Sequence, residues 1–287
     1  MSGRERQQRD RTECDRGRAV SDVVAFVLTF AIIIAGVGLV SIGGFDQLTT
    51  FANDQQLDNS DRGMQAAAAS VGNLERNGDT YREFDLSLGG GNVWFNGTEI
   101  GLSSNSSSLN ESINNTFEPD GTVPINALEH RFDLSSRVVS LAYEGGGVFR
   151  TGTVGPRHEP AVTFDQERGQ VIVSLVNLTT DESIDRSGTF ASELVLSPTR
   201  IPEESPVGAD KQIIGFSAEQ VGQERVYETG VDGELEIDVS GTAYPDQWAF
   251  YFEECEGWSR DGDTYSVSGG DLDVLVRVTT VELSVDR

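Results

Sequence analysis

The stretch from Val23 to Ile42 reads VVAFVLTFAIIIAGVGLVSI and contains no charged residue. Twenty residues of α-helix rise about 30 Å, which matches the hydrocarbon core of a bilayer. The stretch therefore predicts a single transmembrane helix at 23–42 in contact with membrane lipid. Six arginines crowd the preceding residues 1–22: Arg4, Arg6, Arg9, Arg11, Arg16 and Arg18. Such a cluster is retained in the cytoplasm, so we expect a cytoplasmic N-terminus and an extracellular C-terminal domain at the cell surface.

The balance of acidic and basic residues indicates the kind of solvent that surrounds the protein. The 287-residue chain carries 47 acidic and 21 basic residues, for a net charge of −26, and its single lysine is Lys211. An acidic surface almost without lysine retains water and counter-ions in concentrated salt, and it repels itself where screening is weak. This composition predicts a halophilic, archaeal protein. It also argues against a nucleic-acid partner, because no basic patch is available to neutralise phosphates.

The junction before the apolar stretch reads Arg16-Gly-Arg-Ala-Val-Ser-Asp22. It resembles the class III signal of haloarchaeal type IV pilins, in which a prepilin peptidase removes a short charged leader and leaves the apolar helix as an anchor. The resemblance implies cleavage close to Ala19 or Val20. The pilin pattern usually has proline where this chain has Asp22. An uncleaved signal anchor and a cleaved secretory signal are the alternatives.

Beyond the apolar stretch the pattern changes twice. Residues 43–78 repeat apolar side chains at helical spacing, which predicts a helical stalk interrupted at Asp61-Arg62-Gly63 and ending near Gly78. From Tyr81 onward, short alternating runs separated by glycine turns predict strands. Four of them lie at 84–88, 93–95, 134–143 and 171–178, with a turn at 89–91.

The fold class is therefore mainly β with an N-terminal helix. A leader (1–22), a transmembrane helix (23–42) and a stalk (43–78) precede an antiparallel β-sandwich or rolled sheet over 79–287. A polar loop is expected at 101–121, and three prolines within 197–210 mark a subdivision.

Two strands near the C-terminus are especially clear. Leu235, Ile237 and Val239 alternate with acids after the turn signal Asp232-Gly233, which predicts a half-buried strand. In the last strand, Val274, Val276 and Val278 share one parity, whereas Val281, Leu283 and Val285 share the other. This phase change at 279–280 predicts a β-bulge or a strand that passes between two sheets.

Chemistry-bearing motifs are scarce, so no enzyme activity, catalytic residue or cofactor is predicted. His130 and His158 are the only histidines and are expected at the surface or in turns. Cys14 and Cys255 lie on opposite sides of the predicted membrane helix and therefore cannot form a disulfide. Weak calcium candidates are Asp261, Asp263, Asp271 and Asp273, whose spacing fits no EF-hand loop.

Five N-glycosylation sequons lie on the predicted outer side, at Asn96, Asn105, Asn110, Asn114 and Asn177. The segment Leu141–Arg150, reading LAYEGGGVFR, resembles a group of haloarchaeal surface proteins with pilin-like anchors, a likeness that implies a tethered β-rich exterior domain. The sequence therefore predicts a membrane-anchored, pilin-like cell-surface structural or interaction protein that contacts other pilin-like subunits. A tethered ligand- or ion-binding or sensing ectodomain is the alternative.

Overall fold

The computed structural model describes residues 4–87, 92–134, 137–180, 193–196 and 213–285. Within these ranges the helices are α1 (Arg4–Asn77), α2 (Ser107–Thr116) and α3 (Pro245–Glu254). The strands are β1 (Tyr81–Ser87), β2 (Asn92–Asn96), β3 (Glu99–Ser104), β4 (Thr122–Pro124), β5 (Ala127–Leu134), β6 (Arg137–Glu144), β7 (Gly147–Arg150), β8 (Ala161–Asp165), β9 (Gln170–Thr180), β10 (Glu193–Leu196), β11 (Ile213–Asp238), β12 (Ser259–Asp261) and β13 (Thr264–Val285). The prediction of a mainly β chain with an N-terminal helix is confirmed. The chain divides into two compact units, Met1–Gln55 and Gln56–Arg287.

The strands form two sheets. Sheet A has eight strands, with β4, β3, β11, β13, β9 and β8 as successive neighbours; β1 also pairs with β11, and β12 with β13. Sheet B has five strands in the order β10, β2, β5, β6, β7. All pairings are antiparallel except that of β13 with β9, which is parallel over Asp273–Leu283. The expectation of wholly antiparallel strands is therefore wrong for this central pair.

Helix α1 is continuous through Asp61, Arg62 and Gly63, so the predicted interruption is wrong. The Asp61 side chain faces inward because its carboxylate pairs with two arginines of the β-rich unit. Gly63 lies where a Cβ atom would approach Leu86 of β1 to 3.4 Å, so the missing side chain suits close helix–strand packing. The helix ends at Asn77, and Gly78 follows with φ of 70°, the left-handed conformation that commonly terminates helices.

One face of both sheets packs against the end of α1. The helix contributes a buried stripe at helical spacing: Leu57, Met64, Ala67, Ala68, Val71 and Leu74. Sheet A contributes Leu86, Val176, Phe216 and Leu283 to this core, and sheet B contributes Val93, Leu128, Tyr143 and Val148. From Met64 onward the stripe therefore connects strands from both sheets in one hydrophobic cluster, whereas Leu57 packs in a smaller cluster with sheet B.

The opposite faces pack against α2 and α3, which the sequence analysis did not predict. Residues 101–121 were expected to form an exposed loop, but they contain the end of β3 and helix α2. The expectation is wrong because Leu109 and Ile113, four residues apart, are fully buried on one side of an otherwise polar helix. Helix α3 buries Trp248, Tyr251 and Phe252 in the same core.

The parity change in β13 has a simple cause. The strand keeps an unbroken register with β9 across residues 279–280, so β13 itself contains no bulge relative to that neighbour. Val274, Val276 and Val278 are buried in the core with α3, whereas Val281 and Leu283 are buried in the core with α1. The irregularity lies in β11, between Gln220 and Gly222. The strand thus passes from one packing partner to another on the opposite face.

The other strand predictions can be compared directly. Strands at 84–88, 93–95 and 171–178 are confirmed by β1, β2 and β9. The region 134–143 contains the end of β5 and most of β6 instead of one strand. The expected turn at Asp232-Gly233 is a register shift within β11, although Leu235, Ile237 and Val239 are fully buried as predicted. The turn at 89–91 and the segment 197–210 lie outside the described residues.

Candidate functional site

The segment of α1 from Val23 to Val37 presents apolar side chains in every direction. Ten large hydrophobic residues between Val23 and Val37 are each between 55% and 70% exposed: Val23, Val24, Phe26, Val27, Leu28, Phe30, Ile32, Ile33, Ile34 and Val37. Consecutive helical residues are separated by about 100°, so Ile32, Ile33 and Ile34 alone span more than half the circumference. The hydroxyl of Thr29 donates to the Ala25 carbonyl at 2.8 Å, which satisfies it within the helix.

A helix that is apolar all round needs an apolar environment. Within the part of the chain that the structure describes, no helix meets the length and hydropathy expected of a membrane span. Ala19 and Val20, the expected leader-processing positions, lie within α1.

Charged side chains hold the last five turns of α1 on the β-rich unit. Asp61, 8% exposed, lies 3.3 Å from Arg157 Nε and 3.7 Å from Arg150 Nη1. Both arginines come from the segment that starts at the end of β7. Because two cations face one buried carboxylate, this site fixes the helix against sheet B.

A second polar site lies in the last turn of α1, at Glu75. Arg277 of β13 donates from Nη2 to Glu75 at 2.6 Å and from Nε to the Ser174 hydroxyl at 2.9 Å. That hydroxyl in turn donates to Glu75. Burial, followed by the charge of Glu75, raises the pKa of the nearby Tyr143 phenol well above its usual value. Ser174 is only 3% exposed, so a substrate cannot reach it, and the site acts as a helix anchor.

A third buried acid attaches α3 to sheet B. Glu144, at the end of β6, is fully buried and accepts from the backbone N–H of Ala243 at 2.8 Å and from the indole N–H of Trp248 at 3.0 Å. Burial raises the pKa of its carboxyl, although these two hydrogen bonds partly oppose the shift. The negative charge lies beside the N-terminus of α3, where the helix dipole favours it. Glu144 therefore fixes both the segment that leads into α3 and the Trp248 side chain from a distant strand.

The glycines after Glu144 are required by this contact. Gly145 and Gly146 have φ of 60° and 102°, which fits the two-residue turn between β6 and β7. A Cβ atom on Gly145 would lie 3.0 Å from the ring of Trp248. The segment Leu141–Arg150, which resembles haloarchaeal surface proteins in sequence, thus contacts the Trp248 indole of α3.

The predicted calcium ligands do not form one site. Asp261 ends β12 and Asp263 follows it in the turn, whereas Asp271 and Asp273 lie within β13. Eight extended residues between Asp263 and Asp271 span roughly 25 Å. Among the described residues, no group of three or more metal-ligating side chains is arranged to hold an ion.

The sequons lie in different environments. Asn105 is exposed in the linker before α2, and its carbonyl accepts from the Glu234 backbone N–H at 2.8 Å. Asn96 donates to Glu129 at 2.6 Å, and Asn177 is only 9% exposed. Asn110 and Asn114 are half-buried on α2. Exposure therefore favours Asn105 as a glycan acceptor over the others.

The histidines and Cys255 make no reactive site. His130 was expected at the surface, which is wrong: it is fully buried on β5, with its ring 4.1 Å from that of Phe132. His158 is half-buried and pairs through its backbone with Val148. Cys255 is a free thiol that follows α3, and burial raises its pKa, which disfavours the nucleophilic thiolate.

A shallow cleft of about 300 Å³ lies between α3 and the segment after β7. Its walls include Val154, which is 79% exposed, and Phe250. Three charged residues line it: Glu253 and Arg260 pair with each other, whereas Asp246 forms no ion pair with a described residue. The volume of the cleft is at the lower limit of ligand pockets.

These features define a β-rich domain that buries the end of a long N-terminal helix, whose segment from Val23 to Val37 is apolar on all sides. By sequence, the chain belongs to a family of unknown function (DUF7289), whose model matches residues 18–286. No curated protein and no solved structure matches the chain. The matched range includes both the apolar part of α1 and the β-rich domain. The family model therefore covers both parts of the chain.

Proposed function

We propose that this chain is a membrane-anchored, pilin-like cell-surface protein with a structural or interaction role. The observation that supports the proposal is the contrast along α1. Its side chains from Val23 to Val37 are exposed and apolar on every side, whereas those from Leu57 to Leu74 form a buried stripe in the β-rich domain. A helix with this division anchors a folded domain to lipid or to other helices of the same kind.

The anchor is the segment Val23–Ile42, with residues 1–22 in the cytoplasm and the β-rich domain outside the cell. The arginine cluster before the anchor supports this orientation. The junction around Ala19 and Val20 supports entry into the prepilin peptidase route. The chemistry of the β-rich domain fits this role, because its buried ionisable groups hold helices in place and are not accessible to substrates.

The net charge of −26 supports a salt-rich environment. On the exposed part of sheet A, Glu83 and Asp85 of β1 lie on the same face as Glu219 of β11. Mutual repulsion among such acids weakens as salt shortens the screening length. We expect the urea midpoint of the chain to rise as potassium chloride is increased from about 0.1 to 2 M.

Membrane anchoring is tested with paired substitutions on the same helix. The segment 23–42 contains thirteen Val, Leu, Ile or Phe residues, which favour insertion by about 4–8 kcal/mol, whereas two central arginines cost about 5–7 kcal/mol. The double variant Ala31→Arg/Ile33→Arg should therefore lose stable insertion. Phe51→Arg/Ala52→Arg is the matched control, because both residues are exposed on α1 outside the apolar segment.

The assay is alkaline carbonate extraction of membranes, combined with protease added to intact cells. We expect the unaltered chain and the control variant to stay in the pellet with a protease-accessible C-terminal domain, and the central variant to enter the supernatant. N-terminal sequencing of the membrane form distinguishes the routes, since a start near Val20 indicates peptidase processing and an intact Met1 region indicates a plain anchor. Full-length chain in the detergent-free soluble fraction would refute the proposal.

A further inference from the structure

The linker between β3 and α2 displays the side chain of Asn105 to solvent. Its side-chain oxygen Oδ1 accepts a hydrogen bond from the backbone N–H of Glu234 in β11 at 2.8 Å. Its amide nitrogen Nδ2 forms no hydrogen bond with any residue in the described ranges. Because β11 holds the oxygen of this planar amide, the nitrogen of the same group remains available to a molecule that arrives from solvent.

Gly233 provides the space into which this amide fits. A Cβ atom at position 233 would lie 2.5 Å from Asn105 Oδ1 and 3.1 Å from Ser106 Cβ, and the first distance is too short for atoms that are not bonded. The Ser104 hydroxyl donates to the Glu234 carbonyl at 2.6 Å and accepts from the Ser106 N–H at 3.1 Å. The linker is therefore held against β11 by contacts on both sides of Asn105.

Asn105 is the first residue of the sequon Asn105-Ser106-Ser107. Ser106 has φ of −76° and ψ of 121°, an extended conformation that directs the side chains of its two neighbours to the same side of the chain. Ser107 is exposed, and its hydroxyl forms no hydrogen bond with a described residue. The amide nitrogen and the hydroxyl that define an N-glycosylation acceptor are therefore accessible together.

The two sequons within α2 lack this arrangement. Asn110 and Ser112 form one of them, and Asn114 and Thr116 form the other. Residues two apart in an α-helix are separated by about 200° around the axis, so their side chains face different sides. The Ser112 hydroxyl also donates to the Glu228 carboxylate at 2.6 Å. A transferase therefore cannot engage both groups of either sequon while α2 is folded.

The remaining two sequons are closed by burial and by hydrogen bonds. Asn177 is 9% exposed in β9, and its Oδ1 accepts from the Asn126 amide. The Nδ2 of Asn96 donates to Glu129 at 2.6 Å, and the hydroxyl of Thr98, which completes that sequon, is buried. Of the five sequons, the one that begins with an exposed asparagine before an extended residue is thus the one that the folded domain leaves open.

We propose that Asn105 is the N-glycosylation site of this chain and that the sugar is transferred to the folded domain. The co-substrate is an oligosaccharide linked through phosphate to a membrane lipid. Nδ2 forms a bond to C1 of the first sugar while the C1–O bond to the phosphate breaks. The lipid phosphate leaves with the bonding electrons, and a basic group of the transferase accepts the amide proton. The inference rests on the proposed function, because it requires the β-rich domain to lie outside the cell.

The first measurement is mass spectrometry of the full chain recovered from the membranes of the cells that produce it. Cleavage after glutamate gives the peptide 100–111, which contains Asn105 and Asn110, and places the other three sequons in separate peptides. Ser107→Ala removes only the sequon of Asn105. Ser108→Ala is the matched control, because Ser108 is an exposed neighbour outside every sequon. We expect sugar on the peptide 100–111, an occupancy lower by about tenfold or more in Ser107→Ala, and little change in Ser108→Ala.

A second pair of variants tests whether the fold displays the acceptor. Gly233→Ala places a Cβ atom close to Asn105 Oδ1, so the amide must leave its hydrogen bond with Glu234. Gly222→Ala in the same strand is the matched control, because its Cβ atom would lie 3.7 Å from the nearest atom, Thr280 Cβ. With an unchanged far-UV circular dichroism spectrum, we expect the occupancy at Asn105 to fall by about threefold or more in Gly233→Ala alone.

Protease added to intact cells separates this inference from the proposed function. An accessible β-rich domain with an unmodified peptide 100–111 would overturn the inference alone, whereas a protected and unmodified domain would overturn both. Equal occupancy at any of the other four sequons would also overturn the inference, because the fold would then not select the acceptor. So would a folded and fully modified Gly233→Ala variant, since transfer would then not depend on the folded linker.

Discussion

The pair formed by Glu75 and Arg277 gives a quantitative test of how α1 is held on the β-rich domain. Their closest atoms are 2.6 Å apart, and the two side chains differ in burial: 6% of Glu75 and 27% of Arg277 is exposed. Removal of one partner from a buried pair costs about 3–5 kcal/mol because it leaves an uncompensated charge. The cost should therefore depend on which charge remains.

Glu75→Gln leaves Arg277, which is still partly hydrated, so we expect a loss of about 2 kcal/mol in the free energy of unfolding. Arg277→Gln leaves the nearly enclosed Glu75 carboxylate, so we expect a larger loss of about 3–4 kcal/mol. The double variant should lose less than the sum of the two, which corresponds to a coupling energy of about 1–3 kcal/mol.

The assay is urea unfolding of the full chain in non-ionic detergent, followed by tryptophan fluorescence, since urea leaves the ionic strength unchanged. The exposed pair Asp165 and Arg168, 3.2 Å apart, is the matched control, with an expected coupling of at most about 0.5 kcal/mol. Equal coupling energies in the two cycles, or a larger loss for Glu75→Gln than for Arg277→Gln, would refute the reasoning from burial.

Three further changes test other contacts. Met64→Ala empties a fully buried position of the helix stripe and should cost about 2–5 kcal/mol in urea unfolding, whereas Val138→Ala at an exposed position should cost about 0.5 kcal/mol or less. Gly145→Ala and Gly152→Ala both place alanine at positive φ, but only the first meets an indole ring, so a larger loss of thermal stability is expected for Gly145→Ala. Burial raises the pKa of Glu144, so the folded state retains this proton to higher pH than the unfolded state. Stability should therefore fall as pH rises above about 4.5, and the difference between the unaltered chain and Glu144→Gln should decrease over that window.

Local patterns predicted the elements whose packing is periodic. The buried stripe of α1 and the alternation from Leu235 to Val239 follow directly from side-chain spacing, because one face of each element is buried. The two short helices carried weaker signals. Leu109 and Ile113 are four residues apart in a stretch rich in serine and asparagine, and Pro245 marks the first turn of α3.

Contacts between distant parts of the chain were not predictable. Glu75 and Arg277 are 202 positions apart, and Asp61 reads as a helix break until its two arginine partners are known. His130 was misassigned for a related reason. It shares its strand face with Leu128 and Phe132, and only the packing of distant segments shows that this face is buried.

The polarity of each row of sheet A depends on which face a helix covers. Strands β9 and β13 are covered by α1 on one face at one end and by α3 on the other face at the other end, so that each strand also has exposed regions. Where α1 covers one face of these strands, the opposite face carries Glu219, Glu282 and Thr179 in one row. Such a polar row is expected on a face in contact with water. Beyond the end of α1, the corresponding row carries Tyr227, Leu275 and Ile172 instead. Two rows of one sheet that lie beyond a helix thus differ in polarity: the first is polar, whereas the second combines the exposed Tyr227 with the half-buried Leu275 and Ile172.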